Sequence, residues 1–244
     1  MPNFTEIILS ALAVLVTLTI HEYAHGYTAY KLGDGTAKSE GRLSLNPIKH
    51  LDPIGAICMV LFHIGWAKPV PINPRNFKNP KRDFAICALM GPLTNIIAAF
   101  FFALLYVFSY FLLKDVRFSS EFLFTLAQNF LLLLYLFHVI NVGLGLFNLI
   151  PVPPLDGSRI LTLVLPPKAY FSIMRHERQI YLALVAWLLL GDRVSDMLLS
   201  LSFIANTPIL NGFARVLSLT DLISTVVSSV SGGMMNFWEK FFRI

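Results

Sequence analysis

Apolar residues run almost unbroken from Ile7 to Tyr30, then give way at Lys31 to the turn Gly33, Asp34, Gly35. As a helix this run is about 36 Å long, enough to cross a hydrocarbon core of about 30 Å. Two more such runs follow at 84–113 and 122–150, separated by a short polar connector. The pattern predicts spanning helices at about 7–30, 84–113 and 122–150. Between the first two lies IGAICMVLFHIG (54–65), apolar but too short to cross as a helix. A proline-rich stretch, WAKPVPINP, follows it, so a short re-entrant or hairpin segment is expected around residues 54–70. Beyond the third run, GDRVSD interrupts the apolar stretch that starts at Ile180. One or two short spans are expected within 179–210. The end of the chain, MMNFWEKFFRI, mixes aromatics with charge and reads as an interfacial helix. The expected fold is an all-α membrane protein: a multi-span helical bundle over 1–215, followed by an amphipathic tail at 216–244.

Composition agrees with a bilayer setting. The chain is 56% hydrophobic and 14% charged, where soluble domains carry about 25% charged residues. The net charge of +5 is not a nucleic-acid signal, because nine of the nineteen Lys and Arg lie between Lys31 and Arg82. That clustering places the 31–82 loop on the cytoplasmic side and the N-terminus outside. Two further crossings return the chain to the cytoplasmic face after residue 150. The opening MPNFTE lacks a positive stretch, so the first run is expected to be a retained span. Cys58 and Cys87 each sit alone in apolar sequence and read as packed small hydrophobes. The expected location is a plasma or bacterial inner membrane.

Two imidazoles and a carboxylate, HEYAH, interrupt the end of the first span. Ionisable groups inside a membrane are a functional signal by default. On a helix, His21 and His25 share one face a turn apart and can reach one ion, with Glu22 beside them as a base. His and Glu each occur six times, so chance supplies only about 0.004 such motifs in a chain of this length. Zinc suits two neutral imidazoles plus a carboxylate, with a fourth position left for water. On local grounds the third ligand has two candidates. Asp156 is the only acidic residue between Glu121 and Glu177 and follows the proline-broken NLIPVPPLD; Gly157 after it permits a tight turn. His138, within the third span, is its rival. His50 and His63 read first as structural histidines, and Asn129 and Asn141 as hydrogen-bonding links between helices.

HEYAH in the first span, GPLTN near the start of the second and NLIPVPPLDG after the third resemble the site-2 protease family of intramembrane zinc metalloproteases. The likeness covers roughly residues 7–165, with the look of a compact branch without PDZ or CBS domain. It implies that His21, His25 and Asp156 hold one zinc ion and that Glu22 is the general base. It also implies that Asn148 orients substrate or stabilises the oxyanion, with Asn95 a lesser candidate near the cleft. Ala24 stands where many relatives carry glycine. The implied reaction is hydrolysis of peptide bonds in membrane-protein or membrane-anchored substrates, on the cytoplasmic side of the bilayer. Two other classes remain in view: a metal-ion transporter using the same three ligands, in which Glu22 has no special role, and a non-catalytic membrane scaffold derived from a protease.

Overall fold

The computed structural model describes residues 3–53, 55, 67–201, 207 and 218–242. Among them all regular structure is helical, and three helices are long and apolar enough to cross a membrane. The first, α1 (Phe4–Lys31), starts at a capping box: Asn3 Oδ1 accepts from the Glu6 amide while Glu6 accepts from the Asn3 amide. It stops at Gly33, whose φ of +109° suits a residue without Cβ. After a one-turn helix α2 (Thr36–Ser39), the second span is α3 (Pro80–Leu113). Proline in its first turn is tolerated because that N–H has no helical acceptor. The third span, α4 (Glu121–Asn148), is capped by Ser120 Oγ on the Leu123 amide.

Four helices follow: α5 (Asp156–Val164), α6 (Pro167–Arg175), α7 (Glu177–Leu199) and α8 (Leu219–Phe242). The expected interruption at GDRVSD is not there, and α7 runs through it. Gly191 and Ser195 lie on its buried side with Leu184, and Asp192 Oδ1 accepts from the Ser218 hydroxyl at 2.8 Å. Asp192 keeps a hydrogen-bond partner without leaving the helix. The last helix packs along the spans: Trp238 Nε1 donates to the Phe100 carbonyl at 3.1 Å, and the Phe242 ring meets Phe108. The segment expected at 54–70 falls outside the described residues except for 55 and 67–70, and Cys58, His63 and Trp66 fall outside with it.

The centre of the bundle is α3, which contacts α1, α4, α5 and α8. Its buried side is made of small residues, Ala85, Ala88, Gly91, Ala99 and Ala103. Small residues let helix backbones approach where lipid gives no hydrophobic drive to association. Across from them, a Cβ at Gly145 of α4 would stand 3.0 Å from the Pro92 carbonyl oxygen. Large apolar side chains such as Phe101, Leu105 and Phe130 point outward instead.

The polar loop between α1 and α3 is tied down by one carboxylate. Asp34 is fully buried and accepts from the Thr36 hydroxyl and amide, the Asn73 amide and the Asn76 side-chain amide. Arg42 donates to the Lys68 carbonyl at 2.6 Å. Together they hold an extended stretch from Ala67 to Asn73 against the end of α1. Burial pushes the Asp34 carboxyl up, but the hydrogen bonds from Thr36, Asn73 and Asn76 outweigh it and hold the group below the ordinary carboxylate value. A depressed folded-state value stabilises the fold above the unfolded value of about 3.9, and that contribution disappears as pH falls through the folded one. Thermal unfolding in detergent at pH 7, 5, 4 and 3 should therefore show Tm dropping below about pH 4. Asp34→Asn should lower Tm at neutral pH and flatten that acid limb.

Candidate metal centre

The i, i+4 spacing in α1 puts His21 and His25 on one face, both buried, with ring planes at 87°. Their Nε2 atoms are 3.0 Å apart. Asp156 Oδ2 completes a triangle, 3.1 Å from His21 Nε2 and 3.2 Å from His25 Nε2. These three residues are the metal-capable cluster among the described residues. Three lone-pair-bearing atoms aimed at one point repel one another unless a cation shares them. The spacing fits zinc: ligands about 2.0–2.1 Å from a tetrahedral ion lie about 3.3 Å from each other.

Each imidazole is backed on its far side. His25 Nδ1 donates to the Cys87 carbonyl at 2.6 Å, and His21 Nδ1 lies 2.6 Å from Asn95 Oδ1. An Nδ1 that donates leaves Nε2 as the free lone pair, which is the form that binds metal. Both supports come from α3, the helix carrying GPLTN. Gly91 explains the glycine of that motif: a Cβ there would sit 2.3 Å from His25 Nε2 and 2.8 Å from His21 Cε1. The absence of a side chain is what lets α3 lie against the histidine pair.

Asp156 arrives by a break in the backbone. After α4 ends at Asn148, prolines 151, 153 and 154 supply no N–H to continue a helix, and α5 restarts at Asp156 itself. Gly157 is needed for a reason other than the tight turn expected from sequence. Its φ is not among the positive ones; instead a Cβ would strike the Leu149 and Ile150 carbonyl oxygens at 2.3 and 2.5 Å. The restarted helix presses directly on the end of α4. An ion pair at 2.6 Å, Arg159 to Glu177, then ties α5 to α7. The Asp156 side chain keeps 22% exposure, so the centre is open on that side.

Glu22 stands next to the ligands, and its Oε2 accepts from the Val70 amide at 2.7 Å. Val70 also covers the turn of α1 after the motif, with Cγ1 3.0 Å from where a Gly26 Cβ would be. Asn148 turns its Nδ2 back to the Leu144 carbonyl of its own helix at 3.1 Å. His138, the rival ligand, is engaged elsewhere, between the Ala99 carbonyl and the Ser231 hydroxyl. His50 donates to the Ser44 carbonyl within the polar loop. Asn141 does link helices, bonding to both Asn95 and Thr17. Gly91, Thr17 and Val70 join the site only through helix and loop packing. Only the glycine carried a signal, as part of the GPLTN motif.

Comparison with known families matches residues 9–190 to Peptidase family M50. Relatives that carry the name "Putative zinc metalloprotease" include two bacterial proteins. YwhC of Bacillus subtilis is 45% identical over 158 residues, covering 64% of this chain and 68% of the relative. Rip2 of Mycolicibacterium smegmatis is 24% identical over 237 residues, covering 93% of this chain and 80% of the relative. No solved structure matches the chain.

Gly91→Ala tests the contact between α3 and the histidines. The added methyl must displace one imidazole, so zinc per purified chain should fall well below the wild-type content while helical circular dichroism is kept. Retention of the full zinc content would show that the approach is not needed.

Proposed function

We propose, from the premise that the chain belongs to Peptidase family M50 and is a zinc metalloprotease of that family, that it cleaves peptide bonds of membrane-protein or membrane-anchored substrates at or near the cytoplasmic face of the bilayer. The observation that carries this reading is the convergence at 3.0–3.2 Å of Asp156 with His21 and His25, which lie on a helix long and apolar enough to span a membrane, with Glu22 adjacent. Zinc held by one such set in each chain would supply a Lewis acid for the scissile carbonyl and a water that ionises near pH 7.

The protein's own groups do the rest. Glu22 takes a proton from water as general base and returns it to the leaving amine as general acid. The Val70 amide occupies Oε2, so Oε1 is the oxygen assigned to that proton. Prolines 69 and 71 flank Val70 and have no amide hydrogens of their own. The stretch carrying Val70 lies across the end of α1, where an unwound substrate segment would pass beside it. Asn148, in the last turn of α4, is the side chain assigned to orient the substrate. The side on which Asp156 keeps 22% exposure is the one we assign to substrate entry. A transport role finds no comparable support, because both histidines are braced against α3 by hydrogen bonds on their far nitrogens.

The test is Glu22→Gln, which removes the base and keeps the ligands. Zinc content should equal wild type, while cleavage of membrane-anchored substrates falls by about 10²–10⁴-fold. Membrane proteomics of cells carrying either form should show uncut substrates accumulating with the variant. Identical membrane proteomes would refute proteolysis, and metal flux in proteoliposomes unchanged by the substitution would favour transport.

A further inference from the structure

The two ligand histidines are supported in different ways, and the difference has a consequence. His25 Nδ1 faces a main-chain carbonyl, which can only accept. His21 Nδ1 faces the side-chain amide of Asn95. An amide has two ends. With Oδ1 toward His21, Nδ1 must carry the proton and Nε2 is free. With Nδ2 toward it, Nδ1 becomes the acceptor and the proton moves to Nε2, which blocks ligation.

The groups behind Asn95 decide which end it shows. Asn95 Nδ2 lies 2.7 Å from Asn141 Oδ1 and 3.4 Å from the Thr17 carbonyl oxygen. Asn141 Nδ2 in turn lies 2.8 Å from both the Phe137 carbonyl oxygen and Thr17 Oγ1. Main-chain carbonyls cannot donate, so the Phe137 oxygen requires Asn141 to point its Nδ2 that way. Asn141 Oδ1 is then left facing Asn95. That oxygen, together with the Thr17 carbonyl, requires Asn95 to present Nδ2 to them and Oδ1 to His21. Thr17, Asn95 and Asn141 are all fully buried, so no water competes to relax this order, and an inverted amide would leave oxygens facing oxygens at low dielectric.

We propose that Asn141 and Thr17 polarise Asn95 so that His21 is held in the metal-binding tautomer. They are positioning residues: Asn95 acts on the metal through His21, and Asn141 acts through Asn95. The chain joins α1, α3 and α4, so docking of all three spans is what prepares the ligand. The inference rests on the zinc reading above.

The experiment measures zinc affinity by competition with a chromophoric chelator, on purified full-length protein in detergent. Groups behind ligating histidines typically contribute 10–100-fold in metal affinity. Asn95→Leu should lose an amount in that range, and Asn141→Leu, which touches no ligand, should lose about tenfold. Asn141→Asp supplies the control for packing. An ionised carboxylate would face the Phe137 carbonyl oxygen in a fully buried position, so the carboxyl is held protonated. It keeps an oxygen toward Asn95 and an O–H toward that carbonyl, and affinity should return to the wild-type value. The inference is overturned if folded Asn141→Leu binds zinc as tightly as wild type, or if Asn141→Asp is as weak as Asn141→Leu. Wild-type protein that takes up no zinc would overturn the proposed reaction along with it.

Discussion

Two imidazole nitrogens and a carboxylate oxygen within 3.2 Å of one another form an arrangement that low-dielectric surroundings make costly unless a cation is shared between them. Much of the bundle can be understood from that constraint. Two of the atoms come from adjacent turns of α1 and need only helical geometry. Holding them in the right tautomer needs acceptors behind both rings, and α3 brings these acceptors within 2.6 Å. Such an approach is possible only because Gly91 has no side chain where the rings lie. The third atom is delivered across the site by a chain that leaves α4, passes three prolines and re-enters helix at Asp156.

The same economy governs the packing around the site. In lipid, apolar side chains gain little by turning inward, and the interior of this bundle is rich in small residues and satisfied polar groups. Thr17, Asn95, His138 and Asn141 are all buried and hydrogen-bonded between helices, while large side chains such as Phe101, Leu105 and Phe130 face outward. His138 shows how such a residue can look like a ligand and serve as a joint instead, linking α4 to α3 and α8. On the loop side the logic reverses. There Asp34 and Arg42 organise irregular backbone by collecting its amides and carbonyls, and the stretch they hold places the Val70 amide on Glu22.

What could be read in advance follows from the range of the interactions involved. Hydrophobic runs long enough to cross a bilayer are a property of consecutive residues, so the three spans were legible to within a few positions. The pairing of His21 with His25 is set by helical period alone, and the proline-broken approach to Asp156 made that residue a candidate. The break expected at GDRVSD failed for a tertiary reason: Ser195 is buried and Asp192 finds Ser218, so polar residues that look like a linker remain in a helix. The local pattern reads Gly157 as permitting a tight turn, and nothing local reveals that its backbone rests on the carbonyls of Leu149 and Ile150.

The sequence by itself determined the membrane-spanning class, the histidine pair with its neighbouring glutamate, and the family resemblance carried by three ordered motifs. The resemblance pointed to Asp156 over His138; only the tertiary structure shows the Asp156 carboxylate beside both histidines and His138 turned to Ala99 and Ser231, because such proximity depends on where an atom lies in space. It also assigned the purposes of Gly91 and Val70 and the direction of the Thr17–Asn141–Asn95 chain. Those depend on contacts between residues 46 to 124 positions apart, brought together by helix packing, and no local pattern encodes such distances.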